Sequence, residues 1–219
     1  MQRNVDIAEI SDGKKYTISD MVKIGCNDCA GCSKCCENMS GLITLDPYDI
    51  HRMTSGLNTT FEKLLAHNVE FTVDRGLLIP TIRMDENTGK CTFINEDGRC
   101  SIHNYRSGIC RLFPMGRLYE DGSYYYFLQK NECPYPNKTK VKLKNWMDTQ
   151  DIIKYEKFVS DWHYFISDIQ EYLLGAAEDE AKQINSALIQ MFYITGYDAQ
   201  FYGAFYDRLS KVKSLLSIS

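Results

Sequence analysis

Nine cysteines in 219 residues, five of them between Cys26 and Cys36, constrain this chain more than any other feature of it. Thiols at this density serve either as disulfides in an oxidising compartment or as metal ligands in a reducing one. The opening stretch Met1 to Asp20 has no apolar core of the kind a secretory signal carries, and an odd number of thiols pairs poorly. No apolar run approaches the ~18 residues of a membrane span. The expectation is a cytoplasmic protein whose thiolates hold metal.

The loop itself supports that expectation. Cys26, Cys29, Cys32 and Cys35 follow one another at two-residue gaps, and Gly31 gives the backbone freedom to wrap around an ion. Cys35 and Cys36 are adjacent. In extended chain their side chains diverge, which predicts two sites or one polynuclear cluster. Cys91, Cys100, Cys110 and Cys133 are widely spaced and must fold back onto the loop to act as ligands. Zinc takes four thiolates at ~2.3 Å. A four-iron cluster also takes four, with the Cys-x2-Cys-x2-Cys run as its usual signature and a distant cysteine before proline, as in Cys133-Pro134. Four thiolates on either leave about −2 of net charge, to be balanced by nearby cations such as Lys34, Lys90, Arg99, Arg106 and Arg111. His103 reads as outer-sphere or surface, and His51, His67 and His163 as structural.

No cysteine follows Cys133, and this divides the chain. Residues 1–24 read as an N-terminal extension, 25–145 as a metal-stapled module of short helices and hairpins, and 146–219 as a three-helix region packed on it. The fold class expected is α+β. Asp46-Pro47 opens a helix that Gly56 should close, and Thr59 to Glu62 forms a capping box for a second. Asp74-Arg75-Gly76, Asp97-Gly98 and Asp121-Gly122 mark tight turns between short strands. Beyond Trp146 the apolar period becomes helical. Ile152, Tyr155, Val159, Trp162, Ile166, Ile169 and Leu173 line one helix ending near Gly175. Ile184, Leu188, Met191 and Phe192 line a second stopped at Gly196, and Phe201, Phe205, Leu209, Val212 and Leu216 a third. With 25 basic and 29 acidic residues, a net charge of −4, the chain offers no global attraction for nucleic acid or anionic membrane.

The run Cys29 to Cys36 with Gly41 to Asp46 and Asp49 to Arg52, followed by Cys91-Thr-Phe-Ile, Asp97 to Ile102, and Arg106 ahead of Cys110 to Pro114, resembles the CxxCxxCC cysteine-cluster family, a zinc- or iron-chelating domain. The similar motifs span residues 29 to 133. The resemblance implies Cys29, Cys32, Cys35, Cys36, Cys91, Cys100, Cys110 and Cys133 as the ligand set, holding zinc or a 4Fe-4S iron-sulfur cluster. Three positions depart from the family pattern: Cys26 is extra, Ser107 replaces a proline, and His103 a tyrosine. Relatives include flagellin lysine N-methylases, which implies S-adenosylmethionine as a cofactor and flagellin or another protein as partner.

The residues themselves show no strand, Gly-rich turn and helix of the Rossmann kind. The Cys-x3-Cys-x2-Cys spacing of radical S-adenosylmethionine enzymes also fails, because position 39 is Met. Three functions are therefore carried forward: a cluster-dependent protein-lysine methyltransferase, a structural zinc module, and an electron-transfer iron-sulfur protein. Tyr124-Tyr125-Tyr126 is the candidate groove lining for the first, and ordinary strand packing is its plainer reading.

Overall fold

The computed structural model describes residues 7–26 and 32–216. Its class is α+β. Three antiparallel two-stranded sheets are built from β1 (Met21–Gly25) with β6 (Thr139–Lys142), β2 (Val69–Asp74) with β3 (Leu77–Ile82), and β4 (Met115–Glu120) with β5 (Ser123–Leu128). No parallel pairing occurs among the described strands. The helices are α1 (Ile7–Ile10), α2 (Pro47–Leu57), α3 (Phe61–His67), α4 (Gly108–Leu112), α5 (Leu143–Trp146), α6 (Ile152–Gly175), α7 (Glu178–Ile189) and α8 (Phe201–Leu216).

The turn chemistry acts as expected at both tight hairpins. Arg75 and Gly76 sit at φ +47° and +79°, and Asp121 and Gly122 at +49° and +74°, the paired left-handed conformation whose twist suits a two-residue hairpin. Asp46 caps α2, accepting from the Asp49 N–H at 2.8 Å. Gly56 does not close that helix. The chain runs on to Leu57 and stops at Asn58, whose left-handed φ of +49° ends the ladder. Gly56 is small for packing: a Cβ there would collide with the Tyr105 ring. The second cap lies one residue later than its motif implied, with the Thr60 hydroxyl accepting from Lys63 N–H.

Residues before β1 join the sheets. The Tyr16 and Tyr126 backbones exchange hydrogen bonds at 2.8 and 2.9 Å, and Val22 and Ile24 are buried. Helix α6 is the hub of one continuous apolar core shared by the cysteine segments and the C-terminal helices. Its Tyr155, Phe158, Phe165 and Ile169 are essentially inaccessible, and Phe158 meets Phe205 of α8 edge-on at 4.7 Å. After α7 the helix widens into a π-turn over Gln190–Ile194. That turn directs Phe192 and Tyr193 inward, and the Tyr193 hydroxyl donates to the Leu45 carbonyl (3.3 Å). The tip of the β2–β3 hairpin is held by two buried amides. Asn185 accepts from Leu78 N–H (2.7 Å) and donates to the Gly76 carbonyl (2.9 Å), while Gln170 donates to the Asp74 carbonyl (3.2 Å). Both buried amides thus bond to backbone groups at the hairpin tip. No described helix is long and apolar enough to cross a membrane.

Candidate metal centre

Backbone pairing brings the distant cysteines back to the N-terminal loop. A 3-10 turn, Lys34–Cys36, follows Ser33, and its Cys36 carbonyl accepts from Cys91 N–H at 2.8 Å. Asn38 N–H donates to the Gly89 carbonyl at 2.7 Å beside it. Asp85 shapes the intervening turn by accepting from the Asn87 and Thr88 N–H groups. Past Cys91 a tight turn at Gly98 folds Cys100 against Ile94. Helix α4 then carries Cys110. Its N-cap is Ser107, whose hydroxyl accepts from Cys110 N–H, so the serine that replaces a proline here supplies a cap of its own.

Cys32, Cys35, Cys36, Cys91, Cys100 and Cys110 consequently line one cavity of about 60 Å³. Phe93, Ile102 and Phe113 give it an apolar wall. The Cys35 and Cys36 sulfurs are 3.9 Å apart, which corrects the expectation that adjacent thiols must diverge. The 3-10 turn, in place of extended backbone, swings both to one side. Two thiolates on a tetrahedral ion with ~2.3 Å bonds stand about 3.8 Å apart, so this pair fits a single ion. Thiolates of a four-iron cluster sit on different irons and lie further apart. Among the described residues no three thiol, imidazole or carboxylate side chains form a ready-made metal site.

The remaining thiols group elsewhere. Cys133 is not on that cavity wall; its titration feels Cys26 and Cys32. The β1–β6 register explains this, since Gly25 pairs with Thr139 and Lys138 turns back to donate to the Cys133 carbonyl (2.7 Å). Cys29 lies outside the described residues. No disulfide joins the described cysteines.

Electrostatics distinguishes the thiols. A hydrogen bond from Cys36 pulls Cys35 down to about 7 against desolvation, with help from the Arg106 charge. Burial pushes Cys91 up to about 11 and Cys110 up to about 12, and also raises Cys100 and Cys133. Cys36 is driven up chiefly by its bond to Cys35. Arg99 and Arg106 border the cavity, but Arg111 does not. It turns away to pair with Asp49 at 3.7 Å, both side chains 2% exposed. Tyr124 and Tyr126 pack against α6, both hydroxyls reaching Glu156 (3.4 and 3.3 Å), as strand packing requires.

A second cavity, of about 330 Å³, lies beyond Met39, Ile109 and Phe113, which border both spaces. Its wall includes Asp46, Asp49, Arg117, Trp162 and His163. The sequence assigns Asp46, Asp49, Trp162 and His163 structural roles and gives Arg117 none. The signal available was an arginine in a strand facing a run of tyrosines.

No curated protein and no solved structure shows significant similarity to the chain. A family model does match, over residues 28–141, and its description is a putative zinc- or iron-chelating domain. That stretch is more than half of the chain and contains every cysteine of the first cavity, so the protein belongs to the CxxCxxCC family.

Proposed function

We propose that this is a metal-binding protein whose cysteine thiolates hold zinc or iron. The observation that supports it most is the convergence of six cysteines from three chain segments on one cavity. Cys35 and Cys36 supply a pair at tetrahedral separation, and Cys91, Cys100 and Cys110 the surrounding donors. Arg106 offsets part of the thiolate charge. Cys133 and Cys32, with Cys29 of the same Cys-x2-Cys run, complete the ligand set that the family resemblance implies. In a reducing cytoplasm these thiols stay available for metal.

The separation of Cys35 and Cys36 favours a mononuclear thiolate centre over a 4Fe-4S cluster, and both readings are separable by inspection. A colourless preparation with stoichiometric zinc fits the first. A brown anaerobic preparation with broad absorption near ~400 nm fits the second. Replacing Cys35 or Cys110 with Ser should strip the metal from purified protein, read by elemental analysis. Retention of full stoichiometry in both variants overturns the proposal.

Methyl transfer from S-adenosylmethionine to a protein lysine, with flagellin as the natural substrate to try, is the finer reading the family resemblance suggests. A parallel nucleotide-binding sheet is lacking among the described residues, so cosubstrate would have to bind beside the metal module. Anaerobically purified protein incubated with labelled cosubstrate and flagellin tests it directly. Absence of label on lysine removes it and leaves metal binding untouched.

A further inference from the structure

The 330 Å³ cavity carries an arginine that no carboxylate among the described residues pairs with directly. Arg117 projects from β4, and its Nε is shielded from solvent without a hydrogen-bond partner. The guanidinium donates to the Tyr155 hydroxyl (3.4 Å) and lies 5.6–5.7 Å from the rings of Tyr124, Tyr126 and Tyr155. It forms no ion pair among the described residues. A desolvated arginine is ordinarily matched by an anion, because leaving it unmatched is costly.

Glu156 of α6, which feels the Arg117 charge, accepts from the Tyr124 and Tyr126 hydroxyls (3.4 and 3.3 Å) and forms no ion pair with it, and the acids on the cavity wall do not pair with it either. Asp49 is committed to Gly108 N–H (2.7 Å), Asp46 N–H (3.4 Å) and Arg111 (3.7 Å). Burial, reinforced by the Asp49 charge, pushes Asp46 up to about 8, so at neutral pH it is mostly uncharged. Glu132 is solvent-exposed. Desolvation holds His163, stacked on Tyr119 at 3.5 Å, down to about 4 and therefore neutral. Thr44, Gln129, Tyr119 and Tyr193 add neutral polar groups, and the remainder of the lining is apolar, with Leu45, Leu112, Met115, Val159, Trp162 and Ile166 prominent. One half-buried guanidinium with a shielded Nε, on a wall otherwise largely apolar, in a volume typical of small-molecule sites, defines the complementary ligand.

We infer that this cavity binds a small organic carboxylate with an apolar or aromatic body, its carboxylate on Arg117 and its body against Trp162 and Ile166. The site abuts the thiol cavity through Met39, Ile109 and Phe113, so its occupant would lie next to the metal centre without depending on it.

The probe is phenylacetate, added to the purified full-length protein while the Trp162 indole N–H resonance is followed, assigned with Trp162→Phe. Phenylacetate should shift that resonance saturably at millimolar concentration. Phenylacetamide, the neutral isostere, should bind roughly tenfold more weakly or worse, since it forfeits a charge-assisted bond. Inorganic phosphate, which lacks the apolar body, should leave the resonance in place. Arg117→Gln should abolish the preference for the acid over the amide, and Ile166→Phe, which fills the cavity, should weaken both. The inference is overturned by no saturable shift with phenylacetate, by equal binding of acid and amide to the wild type, by an equal response to phosphate, or by an acid preference surviving in folded Arg117→Gln.

Discussion

Replacing Asp49 with Ala tests the buried pair that ties α2 to α4 and so to Cys110. Its carboxylate accepts from Gly108 N–H at 2.7 Å and faces the Arg111 guanidinium at 3.7 Å, each side chain being 2% exposed. The Arg111 nitrogen facing Asp49 also donates to the Arg106 carbonyl, while Nε and the other terminal nitrogen lack partners, so no second carboxylate pairs with the guanidinium when Asp49 goes. Breaking one half of such a pair costs about 3–5 kcal/mol, most of it from the stranded charge. For a protein of 219 residues that is a fall in Tm of roughly 6–20 °C. Urea unfolding followed by Trp146 and Trp162 fluorescence measures it, with an unchanged denaturant slope showing that only stability moved. Asp49→Leu combined with Arg111→Met should recover most of the loss, because removing both charges leaves neither stranded. A single-variant loss below about 1 kcal/mol, or a double variant as unstable as the single one, would refute the reasoning.

Further outcomes follow from other contacts. Asn185→Ala withdraws the acceptor of Leu78 N–H and the donor to Gly76, and should cost about 2–3 kcal/mol with faster amide exchange at the hairpin tip; unchanged exchange there would contradict the clamp. Gly56→Ala forces Tyr105 to move and should cost about 1–3 kcal/mol in the same unfolding assay, whereas a neutral or stabilising result would show that the ring yields freely. Asp46 is raised by burial above its usual 3.8 to about 8. A raised acid contributes stability in full below the ordinary carboxylate range and loses it as pH climbs through the folded value. Metal-free protein should therefore weaken between pH 4 and 8, and Asp46→Asn, which preserves a capping side chain, should flatten that slope; identical slopes would remove Asp46 as its source. Metal uptake must displace protons from Cys91 and Cys110, so apparent affinity should rise with pH across the neutral range, and titration calorimetry in buffers of different ionisation enthalpy counts the protons released.

Local chemistry was legible in the sequence where the cause is local. The Asp46 cap, the Arg75-Gly76 and Asp121-Gly122 turns and the first and third C-terminal apolar stripes depend on side chains a few residues apart, and each appears as read, whereas the second stripe passes from α7 into a π-turn before Met191 and Phe192. What escaped depends on partners far along the chain. Gly56 looks like a stop signal, yet a ring some fifty residues later requires its missing side chain. Arg111 sits beside Cys110 in sequence, but α4 rotates it towards Asp49. The adjacency of Cys35 and Cys36 predicts parted sulfurs in extended chain, and a 3-10 turn anchored by Cys91 brings them to 3.9 Å. Arg117 is marked only by its place in a strand facing a run of tyrosines, and the sequence does not show that no carboxylate pairs with it directly.

X-ray absorption at the zinc and iron edges of anaerobically purified protein tests the metal reading most directly. An all-sulfur shell at ~2.3 Å, lost on replacing Cys35 and Cys110 together, is the predicted result. Protein that carries no metal, or metal ringed by oxygen and nitrogen instead of sulfur, contradicts it.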